Sequence, residues 1–268
     1  MIPSTLIKRL SAILFLMLAP SAFAGMTYKA QSTTTGVRNI TIVGTVAIDG
    51  SHMRMDVTQG DKMLFNDNAI VLSNDGGKTM SVYDPATKTF FDLQLQDALG
   101  NTSSMLKNFG DMIKVSFDNP HVAVRDAGDG GTIEGFPTRK YVLDASYDMN
   151  IDAMGQKMTT HLAMNTETWA TDQLSGEMSS FLQMRGLRTG IENIDKLIEA
   201  QSTAVRGFPL KQVSTVQISQ MGNDMTMTTT STVTNVVKKT IEASSFAAPA
   251  GYTRTDDPLT KMMKQMKQ

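Results

Sequence analysis

The 268-residue sequence has no cysteine. No disulfide can form, although an exported chain could carry one. A lipid cannot be attached at a lipobox, and cysteine nucleophiles and thiolate metal sites are excluded. Histidine is almost as scarce: His52, His121 and His161 are all there are, and each falls on a different predicted strand. Aromatics are 6% of the residues, with one tryptophan, Trp169. Neither charge sign dominates, since 25 Lys and Arg face 26 Asp and Glu. That balance excludes the basic stripe of a nucleic-acid binder. Beyond residue 24 no apolar run approaches the ~20 residues of a membrane-spanning helix, so no transmembrane segment is expected in the mature chain.

Signatures of chemistry are also missing. There is no Gly-x-Ser-x-Gly, no His-Glu-x-x-His, no phosphate-binding glycine loop and no dinucleotide fingerprint. The acidic, glycine-rich run from Asp126 to Glu134 resembles a calcium loop, but Gly128 and Gly130 stand where ligands are needed. The carboxylate pairs Glu167 with Asp172 and Asp126 with Asp129 carry no sign of a dry pocket. The sequence predicts a protein that is not an enzyme and uses no cofactor.

What is present begins with an export signal. Lys8 and Arg9 precede the apolar run Leu10 to Ala19, and Ala22-Phe23-Ala24 is a small-x-small cleavage site. Residues 1–24 read as a signal peptide cleaved before Gly25, giving a periplasmic protein without a lipid anchor. Removing Lys8 and Arg9 takes the formal charge from −1 to −3. Methionine is abundant, at 21 residues, and all but Met1 and Met17 follow the signal. Met is flexible and polarisable and suits surfaces that accept ligands of variable shape.

The next stretch alternates at strand period. Met26 to Thr35 reads as a strand near an edge. Ile40 to Ile48 and Ser51 to Thr58 flank the hairpin turn Asp49-Gly50. Short strands at 62–66, 69–73, 78–83 and 88–93 complete a meander of about seven. Residues 94–110 have roughly helical spacing. Strands at 112–117 and 121–126 follow, then a flexible turn at 126–131. Two hairpins open with Gly-Phe-Pro, at Gly135 and Gly207, and each has a second strand rich in Thr and Met. Between them, 173–185 and 191–200 read as helices, the first with Asp172 as N-cap.

Met and β-branched side chains recur at spacing two on single strand faces. Met53, Met55 and Val57 share one face, as do Met158, Leu162 and Met164, and Met225 and Met227. With Trp169 as a further wall residue, these are the candidate lining of a cavity. Thioethers two apart also suit copper(I), which leaves a Met-based copper site as an alternative. Continuation of these rows into Val57, Thr160 and Leu162 favours lining over ligation.

The order of pieces resembles the LolA/LolB-like lipoprotein-carrier superfamily, especially its uncharacterised branch of secreted domains of unknown function. The matching segments are Gly135 to Tyr141, Glu167 to Thr171, Gly207 to Leu210 and the close Phe246 to Tyr252. The resemblance implies an α+β fold: a single curved antiparallel sheet, an incomplete β-barrel, with helices packed on the concave side. In the carriers that side holds acyl chains. No arginine here matches the one that gates the soluble carrier's cavity. The expected organisation is a half-barrel domain over 25–257, with a helical insertion near 173–201. An amphipathic tail follows at 258–268, with Leu259, Met262, Met263 and Met266 on one stripe. The expected function is a binding or carrier protein for a hydrophobic small molecule, lipid or lipoprotein. The alternative is an interaction protein for an envelope partner, with its cavity filled by its own helices.

Overall fold

Turn residues set the strand order. Asp49-Gly50 links β1–β2 to the rest, where β1 is Gly25–Thr35, β2 Ile40–Asp49 and β3 His52–Gln59. Then come β4 (Ile70–Ser73), β5 (Thr79–Asp84) and β6 (Thr89–Gln94). The longer strands follow: β7 (Ile113–Ile133), β8 (Phe136–Ala153), β9 (Gln156–Thr171), β10 (Phe208–Gln220) and β11 (Asn223–Lys238). The pair Thr253–Arg254 forms β12. The computed structural model describes residues 25–36, 39–62, 64–94, 113–153, 155–174, 188, 191–220, 222–258 and 260.

All twelve strands join one open, curved sheet in the order β12-β6-β5-β4-β3-β2-β1-β11-β10-β9-β8-β7. Every neighbouring pair is antiparallel except β12 on β6. The open sheet fits an incomplete barrel. Strand β1 is not near an edge: it pairs with β2 on one side and β11 on the other, closing the first half of the chain onto the last. The two Gly-Phe-Pro hairpins are neighbours, because β9 pairs with β10 from Phe208–Thr171 to Gln220–Thr160. Gly207 makes that junction possible. It has φ +88°, and a Cβ there would lie 2.6 Å from the Thr171 carbonyl oxygen.

Several local expectations are corrected. Residues 62 and 64–66 are loop, because the Asp61 carboxylate accepts the Leu64 and Phe65 amides, both at 2.9 Å, and bends the chain. The meander up to β6 therefore has six strands. The segments expected as two strands and a turn over 112–131 are one strand, β7, kept continuous by register shifts at Asp118/His121, Asp126/Gly128 and Asp129/Thr132. The second expected helix is present as α1, Glu192–Ala204. Of the first, Asp172–Leu174 is a 3-10 turn and the remainder lies outside the described residues. The signal peptide, the helix expected at 94–110 and most of the tail also lie outside them.

The core occupies one face of the sheet, here called the inner face. One cluster joins Met26, Tyr28, Val46, Ile48, Leu174, Phe208 and Leu210. A second, over the meander, joins Val57, Ala69, Val71 and Val82. Among the described residues, Ile133 and Phe136, at the tip of the β7–β8 hairpin, pack against the first cluster; most of the helices expected on the concave side lie outside those residues. Glu134 at that tip accepts the Asn235 amide of β11 at 2.7 Å, fixing the tip over the sheet. Helix α1 packs chiefly on β7 and β8, where Asn193 donates to the Phe117 carbonyl at 2.6 Å.

The opposite face of the meander is covered by the chain's close. Arg54 donates to the Ser245 carbonyl at 3.2 Å, and the His52 and Phe246 rings are 5.5 Å apart. Tyr252 stands edge-on to Tyr83 at 5.3 Å. The Phe246 to Tyr252 segment is thus a strap packed on the outer face of the meander.

Candidate functional site

Strand alternation puts every second residue of β1, β2, β3, β10 and β11 on the inner face. Where these strands meet, Tyr28, Ala30, Ile42, Met55, Phe208, Leu210 and Val233 border an open cavity of about 250 Å³. Gly44, on β2 between Ile42 and Val46, leaves room for the Met55 side chain: a Cβ would sit 2.6 Å from the Met55 Cε. Phe208 meets Tyr28 edge-on, with centroids 5.5 Å apart. The lining is mainly apolar, with Gln31, Ser32, Gln212, Ser231 and Thr232 on its polar side. Its one charged lining residue, Lys211, carries its ammonium to the other face, 4.8 Å over the Trp169 ring.

Next to the cavity the inner face becomes a belt of hydroxyls. Ser32 pairs with Ser231 at 3.1 Å, Thr34 with Thr229 at 2.9 Å and Thr166 with Ser214 at 2.9 Å. Gln212 donates to Thr168 at 3.2 Å. Beyond the belt the face turns apolar again. Met227 stands opposite Val216, and Val216 opposite Met164; Met225 stands opposite Ile218, and Ile218 opposite Leu162. Met158 closes this patch, its sulfur accepting from Gln220 at 3.2 Å. Met225 is 40% exposed.

The predicted lining therefore separates into groups. Met53, Met55 and Val57 lie on β3 with the core clusters, and of the nine candidates Met55 borders the cavity. Met158, Leu162, Met164, Met225 and Met227 share the same inner face but sit past the hydroxyl belt. Trp169 is on the outer face. It is opposite Lys211 and Lys140, both with ammonium groups 4.8 Å from its ring, and Lys140 pairs with Glu167 at 2.7 Å. The thioethers do not converge for copper: β3 and β11 are three strand spacings apart, ~14 Å. Among the described residues no His, Cys, Asp and Glu cluster could hold a metal. His161 pairs with Asp148 at 2.7 Å on the outer side, far from His52.

The cavity residues Tyr28, Phe208, Leu210 and Val233 were not singled out by sequence patterning. Their meeting depends on β1 pairing with β11, some 200 positions away, and no local signal carries that pairing. Burial pushes the Tyr28 phenol well above its ordinary pKa, so it stays a neutral donor at any working pH.

Residues 32–252 match the family described as a domain of unknown function (DUF4412), and the chain belongs to that family. Similar solved structures include a LolA superfamily protein from Nitrosomonas europaea. It is 9% identical, with a TM-score of 0.31, over 85% of this chain and 91% of that one. A DUF1329 family protein from Desulfovibrio piger is 8% identical, with a TM-score of 0.33, over 91% and 98%. PNGF-II is 12% identical, with a TM-score of 0.35, over 90% of this chain but 33% of its own. No curated protein matches. The family match is to a domain of unknown function, and a LolA superfamily protein is among the structures this chain is similar to. Among the described residues no helix is long and apolar enough to cross a membrane.

Proposed function

We propose that this is an exported, periplasmic binding protein, not an enzyme, that holds a hydrophobic ligand such as a lipid or acyl chain against the inner face of its sheet. The observation that carries the reading is the open apolar cavity at the β1–β2–β10–β11 junction. Binding is non-covalent. Roughly 200 Å² of ligand surface leaving water corresponds to about 5 kcal/mol before the cost of association. Such a cavity takes a short apolar segment, since ligand pockets usually run from about 300 Å³ upward. A longer chain would continue over the hydroxyl belt to the Met patch, whose flexible side chains can remould around it.

The test is native mass spectrometry of protein purified from its own envelope. Delipidated protein is then titrated with a fluorescent apolar probe. A co-purifying lipid and saturable probe binding are expected. A brominated acyl ligand should leave Trp169 emission unquenched, because the ring is on the other face. Probe signal no higher than for an unrelated protein of similar size would refute the reading.

A further inference from the structure

Tyr28 is the odd residue of the cavity. It is 8% exposed and surrounded by apolar side chains, and its hydroxyl has no hydrogen-bond partner among the described residues. Every fully buried polar side-chain atom among those residues does have a partner. The Tyr28 hydroxyl therefore keeps contact with open space, and the space that Tyr28 borders is the cavity. A phenol left unpaired in an apolar wall costs free energy until something arrives to accept its proton. Among the described residues no neighbouring hydroxyl accepts from it; Ser32 and Ser231 bond to each other.

We propose that Tyr28 is a specificity residue, whose hydroxyl donates to an uncharged carbonyl oxygen of the ligand, so that the cavity selects neutral esters or amides over both plain hydrocarbon and carboxylate anions. The inference rests on the reading of the cavity as a ligand site. The acceptor is uncharged because, among the described residues, the cavity offers a carboxylate no counter-charge. The Lys211 ammonium is held over Trp169 on the opposite face. An ionised headgroup would lose its hydration without compensation, whereas an ester carbonyl needs one donor.

The experiment compares wild type and Tyr28→Phe, both delipidated, with three probes of similar length: methyl octanoate, octanoate and n-nonane. The substitution keeps the ring that packs on Phe208. Methyl octanoate should bind Tyr28→Phe about fivefold to tenfold more weakly, the range expected for one neutral hydrogen bond, while n-nonane affinity stays within twofold. In wild type its carbonyl infrared band should move to lower wavenumber on binding, and the shift should vanish in Tyr28→Phe. Octanoate at neutral pH should bind more weakly than the ester. The ligand-free variant should melt at the wild-type temperature or above it, since an unpaired hydroxyl has been removed.

Equal ester affinity in both proteins would overturn the assignment of Tyr28 while n-nonane binding left the cavity standing as a ligand site. Octanoate binding as tightly as its ester would overturn the preference for neutral ligands. Melting several degrees below wild type would show that the hydroxyl has a structural partner, and would overturn it too. If none of the probes bound either protein, the ligand-site reading and this inference would fall together.

Discussion

Truncation of Phe208 probes both the core and the cavity. Phe208 is 1% exposed, opens the first strand after the second Gly-Phe-Pro, and packs with Met26, Tyr28, Ile48, Leu174 and Leu210. Phe→Ala changes in cores cost about 3–5 kcal/mol, and an edge-on aromatic pair such as Phe208–Tyr28 contributes about 0.5–1.5 of that beyond area. One feature of the site pulls the value down. Phe208 borders an open cavity, so its removal enlarges a space already in contact with solvent and creates no sealed void. About 3 kcal/mol is expected for Phe208→Ala. In a domain of this size 1 kcal/mol moves Tm by roughly 2–4 °C, so the variant should melt about 6–12 °C below wild type in calorimetry. Val237→Ala is the matched control. Val237 is 51% exposed, and its truncation should stay within about 0.5 kcal/mol. Equal melting of the two variants would show that Phe208 does not anchor the core cluster it shares with Met26, Tyr28 and Ile48.

Two further perturbations test the turns and the hairpin tip. Asp75 is partly desolvated, which raises its pKa. The Thr79 amide and the Ser73 hydroxyl, both at 3.0 Å, outweigh that and hold it below the usual range. A lowered folded pKa means the stabilisation is present above the unfolded value of ~3.9 and is lost as pH falls through the folded value. Stability should therefore drop below about pH 4, and the drop should be shallower in Asp75→Asn; identical acid profiles by circular dichroism would contradict this. Glu134→Ala should remove the bond to the Asn235 amide and cost about 1 kcal/mol. Faster hydrogen exchange at Asn235 and along the β7–β8 tip is the readout, and unchanged protection there would count against the tether.

Much of the fold could be read from punctuation and alternation. Asp49-Gly50, the 74–77 turn and the two Gly-Phe-Pro starts each mark a real strand junction, and the Met rows do share one face. Two failures had local remedies. The row Met158, Thr160, Leu162, Met164 continues to Thr168 and Ala170, which puts Trp169 on the other face by parity alone. Asp61 followed by Leu64 and Phe65 is a side-chain-to-backbone turn, which competes with a strand at 62–66. Other failures had none. Nothing near Met26 announces that β1 is central, because its partner β11 is at the far end of the chain. The continuity of β7 rests on bulges, with Gly128 and Gly131 at φ +88° and +75°, and glycine in such a run reads from sequence as a break.

On the proposed reading one phenol sets selectivity across a broad surface, and the hydroxyl belt beside it bears on how. A ligand long enough to leave the cavity must cross Ser32, Ser231, Thr34, Thr229, Thr166 and Ser214. Unpaired, those hydroxyls would each demand a polar partner from the ligand, and an apolar chain would be rejected. They are paired strand to strand at 2.9–3.1 Å, so one hydroxyl of each pair donates to the other and half of the belt's donors are satisfied within it. The Thr and Ser richness of β1, β10 and β11 stabilises the seam that closes the first half of the chain onto the second, and its pairing lowers what the belt would ask of a ligand lying on it. On that reading the demand for a polar atom is strongest at Tyr28, whose hydroxyl has no acceptor among the described residues. Chain length would then be read loosely along the belt and Met patch, and headgroup chemistry at one atom.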